Sequence, residues 1–276
     1  MVTKKFLSAA SIVFALSFLT STTNADHTWG TYHWARTANP LPLKVIDSVS
    51  GGWQGELDIA LAEWNASSVL AMTIDSSNDS NRTRKRCRMK AGQMRVCNAA
   101  YGFNGWLGRA TIGLDSKGHI DQGKAQVNDS YSSYWADPNE KRHVMCQEIG
   151  HVFGLGHTST DGSSQKTCMD YSSDPQSIAP NGHDDDQLDA IYQYMDSYNS
   201  YDDGVVESGG ETCNAPPGKG CNKKNAGAGL GSDGSPPMGV RVYRGKHEEI
   251  WVASRPDGGL WIHHVRLVPD AFRIVR

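Results

Sequence analysis

Apolar residues recur along the chain with two different periods, which predict helices in some stretches and strands in others. Residues 52–67 and 181–194 carry apolar positions at three- and four-residue steps, as in helices that bury one face. Shorter stretches alternate between apolar and polar residues and are bounded by turn-forming residues, which is typical of strands. The predicted strands are residues 41–46, 69–74, 105–112, 120–127, 240–243, 250–253 and 260–267. The pattern therefore predicts a chain of the mixed α/β (α+β) class.

A third helix has well-defined ends. Asp137 is a good N-cap, Pro138 fits the first helical position, and Glu140 is placed to complete a capping box. Gly154 suits the left-handed conformation that ends a helix, so we expect this helix to end near Phe153 or Gly154. Its buried side is formed by Val144, Ile149, Val152 and Phe153.

This helix carries side chains that suit a metal site. Gln147 and His151 are four positions apart, so they lie on one helical face and can bind the same ion. Glu148 lies beside them as a carboxylate that need not be a ligand. A turn at Gly154 brings His157 to the same ion from another direction, as a tetrahedral site requires. The sequence therefore predicts a catalytic Zn²⁺ site with Gln147, His151 and His157 as ligands.

Apart from Gln147, residues 147–157 match HExxHxxGxxH, and the chain resembles a secreted metzincin zinc protease close to the matrix-metalloprotease type. Met169 fits the methionine of the Met-turn, and Tyr171 follows two residues later, as in the astacin-like and serralysin-like branches. The resemblance implies a metzincin-like zincin fold. This is a twisted mixed sheet with an active-site helix and a C-terminal helix, here followed by a short β-rich extension.

The resemblance also implies a reaction, the hydrolysis of peptide bonds by a secreted zinc metalloendopeptidase. Glu148 would act as the general base toward a zinc-bound water, and Tyr171 would donate a hydrogen bond to the oxyanion. The strand at residues 105–112 would pair with an extended protein or peptide substrate. Its small residues Gly108 and Ala110 would let a peptide backbone come close.

Gln147 stands where the family has its first zinc histidine, and this departure leaves two alternatives open. A glutamine amide is a weaker zinc donor than imidazole, so the chain could be a catalytically weakened metzincin-like zinc-binding protein. A secreted binding or adhesion module is the other, suggested by seven basic residues between positions 82 and 95. Retention of Glu148 favours the enzyme, because a structural zinc has no use for a general base.

Other histidines are weaker candidate ligands. His143 lies two helical turns, roughly 12 Å, from His151 and cannot easily replace Gln147. His183 could reach the metal from the following segment. His263 and His264 are adjacent on a predicted strand, so they point to opposite faces and are poor joint ligands.

Composition divides the chain into four segments. Lys4 and Lys5 precede an apolar run and then small residues up to Ala25, as in a secretory signal peptide. The apolar run is shorter than the roughly 20 residues that a membrane span needs, so we expect a secreted protein, extracellular or periplasmic. The predicted segments are a signal peptide (1–25), a metzincin-like catalytic domain (26–199), a Gly/Pro/Ser/Asn-rich linker (200–238) and a short C-terminal β segment (239–276).

Six cysteines in an exported chain predict three disulfide bonds, although several connectivities are possible. The local pairings are Cys87 with Cys97, Cys146 with Cys168, and Cys213 with Cys221. The bracket from Cys87 to Cys97 makes the basic residues 82–95 a predicted solvated hairpin. A formal net charge of −3 gives no electrostatic reason to expect nucleic acid as a partner. We expect a monomer whose partner is its substrate.

Overall fold

A single sheet forms the centre of the computed structural model, which describes residues 27–202, 230–231 and 234–272. Its strands are β1 (Lys44–Ser48), β2 (Thr73–Ser77), β3 (Gln93–Ala99), β4 (Trp106–Leu114), β5 (Ile120–Asn128), β6 (Val240–Arg244), β7 (Glu248–Ser254) and β8 (Leu260–Leu267). The helices are α1 (Gly51–Trp64), α2 (Asn81–Arg86), α3 (Pro138–Val152) and α4 (Gly182–Ile191), with short 3₁₀ turns at Tyr134–Ala136 and Asp270–Phe272.

The eight strands lie in the order β2-β1-β3-β5-β4-β8-β7-β6. The first four pair in parallel, and every pair from β5–β4 onward is antiparallel. The predicted mixed α/β class and mixed sheet are therefore confirmed. The two halves of the sheet meet at β5 and β4, and helix α3 contacts both of these strands.

The C-terminal β segment continues this sheet instead of forming a separate unit. Strand β8 pairs with β4 along its length, from Trp106 opposite Leu267 to Leu114 opposite Leu260. Strand β4 is thus hydrogen-bonded on one side to β5 and on the other to β8. The prediction that this strand offers a free edge to an extended substrate is wrong for this conformation, because the chain's own strand takes that edge.

Helices α1 and α3 pack together beneath the sheet. The predicted buried face of α1 is confirmed, and its last member, Trp64, donates from Nε1 to the Cys146 carbonyl oxygen at 3.1 Å. Asp137 caps α3 by accepting from Asn139 N, but Glu140 accepts from the Tyr134 hydroxyl and not from the cap backbone. The residues on the buried face of α1 are Trp53, Leu57, Ala60, Leu61 and Trp64.

Helix α3 ends where the sequence predicts, because the chain must turn sharply there. Gly154 has a φ of 96°, and a Cβ at this position would lie 2.0 Å from the Tyr32 carbonyl oxygen. The close neighbour belongs to residues 27–40, which we call the N-terminal strap. The strap is fixed to the end of α3 by Trp29 N donating to Gly154 O at 2.8 Å and Trp34 Nε1 donating to Val152 O at 2.9 Å.

Two of the three predicted disulfides are present, and the third pair, Cys213 and Cys221, lies outside the described residues. The Cys146–Cys168 bond joins α3 to the segment before Met169 across 22 residues of sequence. Closing a loop of this size in the unfolded chain corresponds to about 3 kcal/mol in the chain-entropy model. This bond therefore holds together two segments that both contribute to the site described below.

The predicted basic hairpin at residues 82–95 is wrong. Its first part is the short helix α2, which Ser80 caps and Cys87 ends in a left-handed conformation, and its last part begins β3. Arginine and lysine are good helix formers, which accounts for a helix in the first part of this stretch. None of the helices in the described part of the chain has both the length and the apolar composition that a bilayer crossing requires. The predicted signal peptide, residues 1–25, lies outside that part.

Candidate metal centre

Three histidines from distant parts of the chain meet beside the junction of the two half-sheets. His151 comes from α3, His157 from the loop after Gly154, and His264 from β8. One nitrogen of each ring lies within 4.8 Å of the others, and the ring centroids are 4.0 to 4.6 Å apart. His151 Nε2, His157 Nε2 and His264 Nδ1 are buried without a hydrogen-bond partner. Buried polar atoms are normally satisfied, so three such atoms in one place indicate a ligand.

The other nitrogen of each ring is held by an acceptor. His151 Nδ1 donates to the Leu155 carbonyl oxygen at 2.8 Å. His157 Nδ1 and His264 Nε2 lie 3.1 and 2.7 Å from the same oxygen, Glu248 Oε2. A neutral imidazole has one proton, and these acceptors keep it on the outer nitrogen. The inner nitrogens are therefore lone-pair donors, as in histidines that bind a metal with a fixed tautomer.

The surroundings favour this state at His151 and His157, whereas at His264 burial is outweighed by the Glu148 and Glu248 carboxylates, which raise the pKa of the ring. Burial opposes ionisation of Glu248, but hydrogen bonds from His157 and His264 hold the pKa of its carboxyl well below the usual range. Burial lowers the pKa of His157 to about 4 and that of His151 well below its ordinary value, with further lowering by neighbouring histidines. Neutral imidazole is the form that binds metal. The Glu248 carboxylate adds a negative charge that offsets part of the charge of a cation.

Glu148 lies next to the cluster with both carboxylate oxygens buried and without a hydrogen-bond partner. Its Oε2 is 4.0 Å from His264 Nδ1, and burial raises the pKa of its carboxyl. Space for this side chain comes from Gly108 on β4, where a Cβ would lie 2.2 Å from Glu148 Oε1. The small residue that the sequence assigns to substrate binding therefore accommodates the candidate base.

Gln147, the third predicted ligand, is not brought into the cluster. Its Nε2 donates to the carbonyl oxygens of Cys168 and Asp170 at 3.0 and 2.8 Å, and its Oε1 accepts from Arg266 Nη1 at 2.7 Å. Both ends of the amide are thus occupied by protein groups. The structure brings the predicted ligands His151 and His157 together and gives Gln147 a different role, joining α3 to β8 and to the segment after Cys168.

His264 takes the third position, which sequence reasoning missed. The alternation rule itself is correct, because His263 points away and bonds Thr111 Oγ1 and the Pro237 carbonyl oxygen at 3.0 and 2.9 Å. The rule excludes the two histidines as joint ligands, but it allows one of them to face the other two rings of the cluster. The sequence does contain a sign that His264 has a special role, because β8 (LWIHHVRL) carries polar residues in an otherwise apolar strand. This sign does not show which strand lies beside β8.

Met169 and Tyr171 have different contacts near the cluster. Met169 is fully buried and packs against α3, where a Cβ on Gly150 would lie 2.6 Å from its Sδ. The ring of Tyr171 lies 4.2 Å from that of His157. Its hydroxyl is 3.2 Å from Glu248 Oε2 and 3.0 Å from His264 Nε2. Tyr171 therefore lies on the side of the cluster where Glu248 accepts from the His157 and His264 rings.

The two other histidines considered as ligands have different partners. His143 is buried and donates from Nε2 to the Asp170 carbonyl oxygen at 2.9 Å, in agreement with its exclusion. His183 lies at the start of α4, where its ring centroid is 4.6 Å from that of His27. Neither residue belongs to the cluster of His151, His157 and His264.

Protein covers most of the centre. Glu148, His151 and His264 each have 0% of their surface exposed. The Trp29 ring of the strap stacks on His151 with a centroid distance of 5.2 Å, and β8 covers the edge of β4. The side chain of His157 is 4% exposed, and its loop lines a shallow cavity of about 420 Å³ that includes Thr158 and Gln165. The exposed side of the centre is thus at His157.

Comparisons of this chain with protein-family models, with curated proteins and with solved structures found no match. A function for the centre therefore has to be argued from its own residues. Those residues are three converging imidazoles, a carboxylate that orients two of them, and a second carboxylate with no partner.

Proposed function

We propose that this protein is a secreted zinc metalloendopeptidase in which His151, His157 and His264 bind one zinc ion and Glu148 is the general base. One observation carries the proposal. Three histidine rings converge, with one nitrogen of each within 4.8 Å of the others, and each ring has a buried nitrogen without a hydrogen-bond partner. Beside them lies a carboxylate that is also without a partner. The metzincin-like motif between Glu148 and His157 adds support for peptide bonds as the substrate.

The donor set suits zinc better than calcium or magnesium. Neutral imidazole nitrogen is a preferred zinc ligand, whereas calcium and magnesium require oxygen ligands. Among the residues that the structure describes, this cluster consists of three histidines and offers no oxygen atom. Zinc held by three protein ligands lowers the pKa of a bound water to about 7 and polarises a carbonyl. Glu248, hydrogen-bonded to two of the rings, supplies the outer carboxylate that often orients zinc-binding histidines.

Glu148 has the properties of a general base. Neither carboxylate oxygen has a hydrogen-bond partner within bonding distance, and the nearby His264 ring and Ala110 amide favour the ionised form, so the carboxylate would accept a proton from an attacking water. Burial raises the pKa of this carboxyl toward the range in which a carboxylate transfers protons efficiently near neutral pH. The same oxygens would pass the proton to the leaving amine. Gly108 holds strand β4 close enough to confine the carboxylate beside His264.

Substrate access is proposed on the side of His157. Strand β4 is paired on both edges, so an extended peptide cannot join the sheet there as in strand addition. The loop that begins at His157 and lines the cavity with Thr158 and Gln165 is the exposed approach. The proposed substrate is therefore a peptide segment that enters end-on or as a loop.

The burial of the centre favours a second candidate, a zinc-binding protein without catalysis. Glu148, His151 and His264 have no exposed surface, and zinc at this position would crosslink α3 to β8. Such a zinc would contribute to folding directly, because a preformed site is absent from the unfolded chain. Glu148 would then be a buried acid with no chemical role.

The two candidates are separated by zinc content and casein cleavage, measured on the full chain. We expect wild type to cleave casein, and Glu148→Gln to keep its zinc while losing about 10²-fold or more of the activity. His264→Ala should lose one zinc per chain together with the activity. His263→Ala is the matched control, because this neighbour on β8 points away from the cluster, and it should retain both.

Particular outcomes would overturn the proposal. No cleavage by a zinc-loaded wild type, with His264→Ala still losing one zinc per chain, would leave the zinc-binding protein as the function. Equal zinc contents for His264→Ala and His263→Ala would remove His264 as a ligand. Equal activity of Glu148→Gln and wild type would remove the general base.

A further inference from the structure

A second group of side chains that could bind a metal includes His33 of the strap, four residues after Trp29. His33 belongs to the strap, His119 lies in the turn between β4 and β5, and Asp196 follows α4. One ligand atom of each lies within 4.8 Å of the others. His119 Nε2 is 3.3 Å from Asp196 Oδ1, and His33 Nε2 is 3.6 Å from Asp196 Oδ2. The function proposed above uses none of these residues.

The outer nitrogen of each ring has its own partner. His33 Nδ1 donates to the Thr31 carbonyl oxygen at 2.8 Å. The Tyr198 hydroxyl donates to Asp115 Oδ2 at 2.5 Å and lies 2.7 Å from His119 Nδ1. Partial burial opposes ionisation of Asp115, but hydrogen bonds from Tyr198 and from the turn backbone lower the pKa of its carboxyl, so it is an acceptor. With its proton donated to Asp115, the Tyr198 oxygen accepts from His119 Nδ1.

These partners orient the two rings toward Asp196. In the neutral form of each ring the proton lies on Nδ1, which bonds to an acceptor, and Nε2 is the lone-pair atom on the side of the Asp196 carboxylate. A cation between the two Nε2 atoms and the carboxylate would be bound by all three groups.

We propose that His33, His119 and Asp196 form a second zinc-type metal site that ties the N-terminal strap to the body of the protein. Two imidazoles and a carboxylate are common zinc ligands. The three side chains are 22%, 18% and 19% exposed, so water can reach the ion and complete its coordination. Asp196 is further fixed because its Oδ2 accepts from Arg36 N at 2.8 Å.

The position of this site gives it a structural task. Its ligands come from three segments that are far apart in sequence, and one of them, His33, lies four residues after Trp29. Trp29 stacks on His151 and bonds the end of α3 through its backbone. A metal at His33 would therefore anchor the strap that covers the first centre. The second cluster consists of His33, His119 and Asp196, and Glu148 has no counterpart in it.

Zinc counting on the full chain tests this proposal. After removal of metal and dialysis against buffered Zn²⁺, we expect two zinc ions per chain in wild type. Asp196→Asn, which keeps an acceptor for Arg36 N, and His119→Gln should each retain one. His183→Gln is the matched control, because this histidine lies at the start of α4 outside both clusters, and it should retain two.

Amide hydrogen exchange gives a readout that does not depend on catalysis. Zinc should slow exchange at the Trp29 amide in His264→Ala, which lacks the first site but keeps the second. It should leave this exchange unchanged in the double variant of His264→Ala with Asp196→Asn.

The proposal is overturned if wild type binds one zinc and Asp196→Asn binds the same number. It is equally overturned if both bind two, because the second ion then lies elsewhere. In either case His33, His119 and Asp196 form an ion-paired cluster and not a metal site. Circular dichroism of each variant identifies a loss of zinc that comes from unfolding. If Asp196→Asn is unfolded, His33→Gln replaces it, with the same expected count of one and the same two overturning results.

Discussion

The two histidine clusters use a carboxylate in opposite ways. In the cluster of His151, His157 and His264 the carboxylate of Glu248 lies behind two of the rings and accepts from the outer nitrogens of His157 and His264. At His33 and His119 the carboxylate of Asp196 lies in front of the rings, among the candidate ligand atoms. The first proposed site would therefore have three imidazole ligands, and the second would have two imidazoles and one carboxylate.

Burial and the neighbouring groups complete the contrast. The first cluster is almost fully buried and has Glu148 beside it, with both oxygens free. The second is partly exposed, and the nearest other acid, Asp115, is engaged by Tyr198 and by the turn backbone. Converging ligand atoms are common to both clusters, whereas a carboxylate without a hydrogen-bond partner lies only beside the first of them. We therefore expect chemistry only at the first cluster.

The largest effect is expected from Gly108→Ala, which sharpens the role of the free base. The new Cβ would lie 2.2, 2.7 and 2.8 Å from Oε1, Cδ and Cγ of Glu148, so the whole side chain must shift. Displacing a catalytic group by about 1 Å costs on the order of 10²-fold in rate, so kcat/KM for casein should fall by that factor with the zinc content unchanged.

Gly55→Ala on the exposed side of α1 is the control, since a Cβ there meets nothing within 4 Å. It should leave kcat/KM unchanged. A Gly108→Ala protein with wild-type activity would show that the position of Glu148 does not limit the reaction.

An intermediate effect is expected from Glu248→Gln, which tests the carboxylate behind the rings. The amide can still accept a hydrogen bond, but it no longer supplies the charge that orients His157 and His264. Loss of such an outer partner typically lowers metal affinity by about 10- to 100-fold. Competition with a zinc chelator measures this, and affinity at the second cluster should be unchanged. Equal losses at both sites would mean that the substitution acts through general unfolding.

The smallest effect is a difference in the order of metal loss. Side chains of the second cluster are 18–22% exposed, whereas His151 and His264 are fully buried. A chelator should therefore remove one zinc quickly, without loss of casein cleavage, and the other more slowly, together with the activity. Timed sampling of zinc content and activity checks the order. Activity lost with the first zinc would assign catalysis to the exposed cluster and contradict the contrast.

Local sequence rules predicted much of this molecule. The apolar stripe of α1, the Asp137 cap, the left-handed Gly154 and the two described disulfides are all as expected. Each depends on residues close together in the chain. The basic stretch at residues 82–95 does not form the predicted hairpin, because its first residues form the short helix α2, in which arginine and lysine are good helix formers.

Non-local pairing accounts for the errors at the site. The sequence indicates that His263 and His264 point to opposite faces, and this is correct. It does not indicate that β8 pairs with β4, about 150 residues earlier, which is what brings His264 to His151. Gln147 had no candidate partner in sequence, and its partner Arg266 lies on that same strand. One unpredicted strand pairing thus explains the position of His264, the hydrogen bond between Arg266 and Gln147, and the occupied edge of β4.

The sequence alone determined that Glu148, His151 and His157 stand at fixed spacing around a helix end, since helical periodicity and a glycine turn act over a few residues. Tertiary structure alone decided which third histidine joins them, and it alone assembled His33, His119 and Asp196. The physical reason is that side-chain alternation fixes the face of a strand but not its neighbour in the sheet. That neighbour is selected by burial and hydrogen bonding over the whole chain.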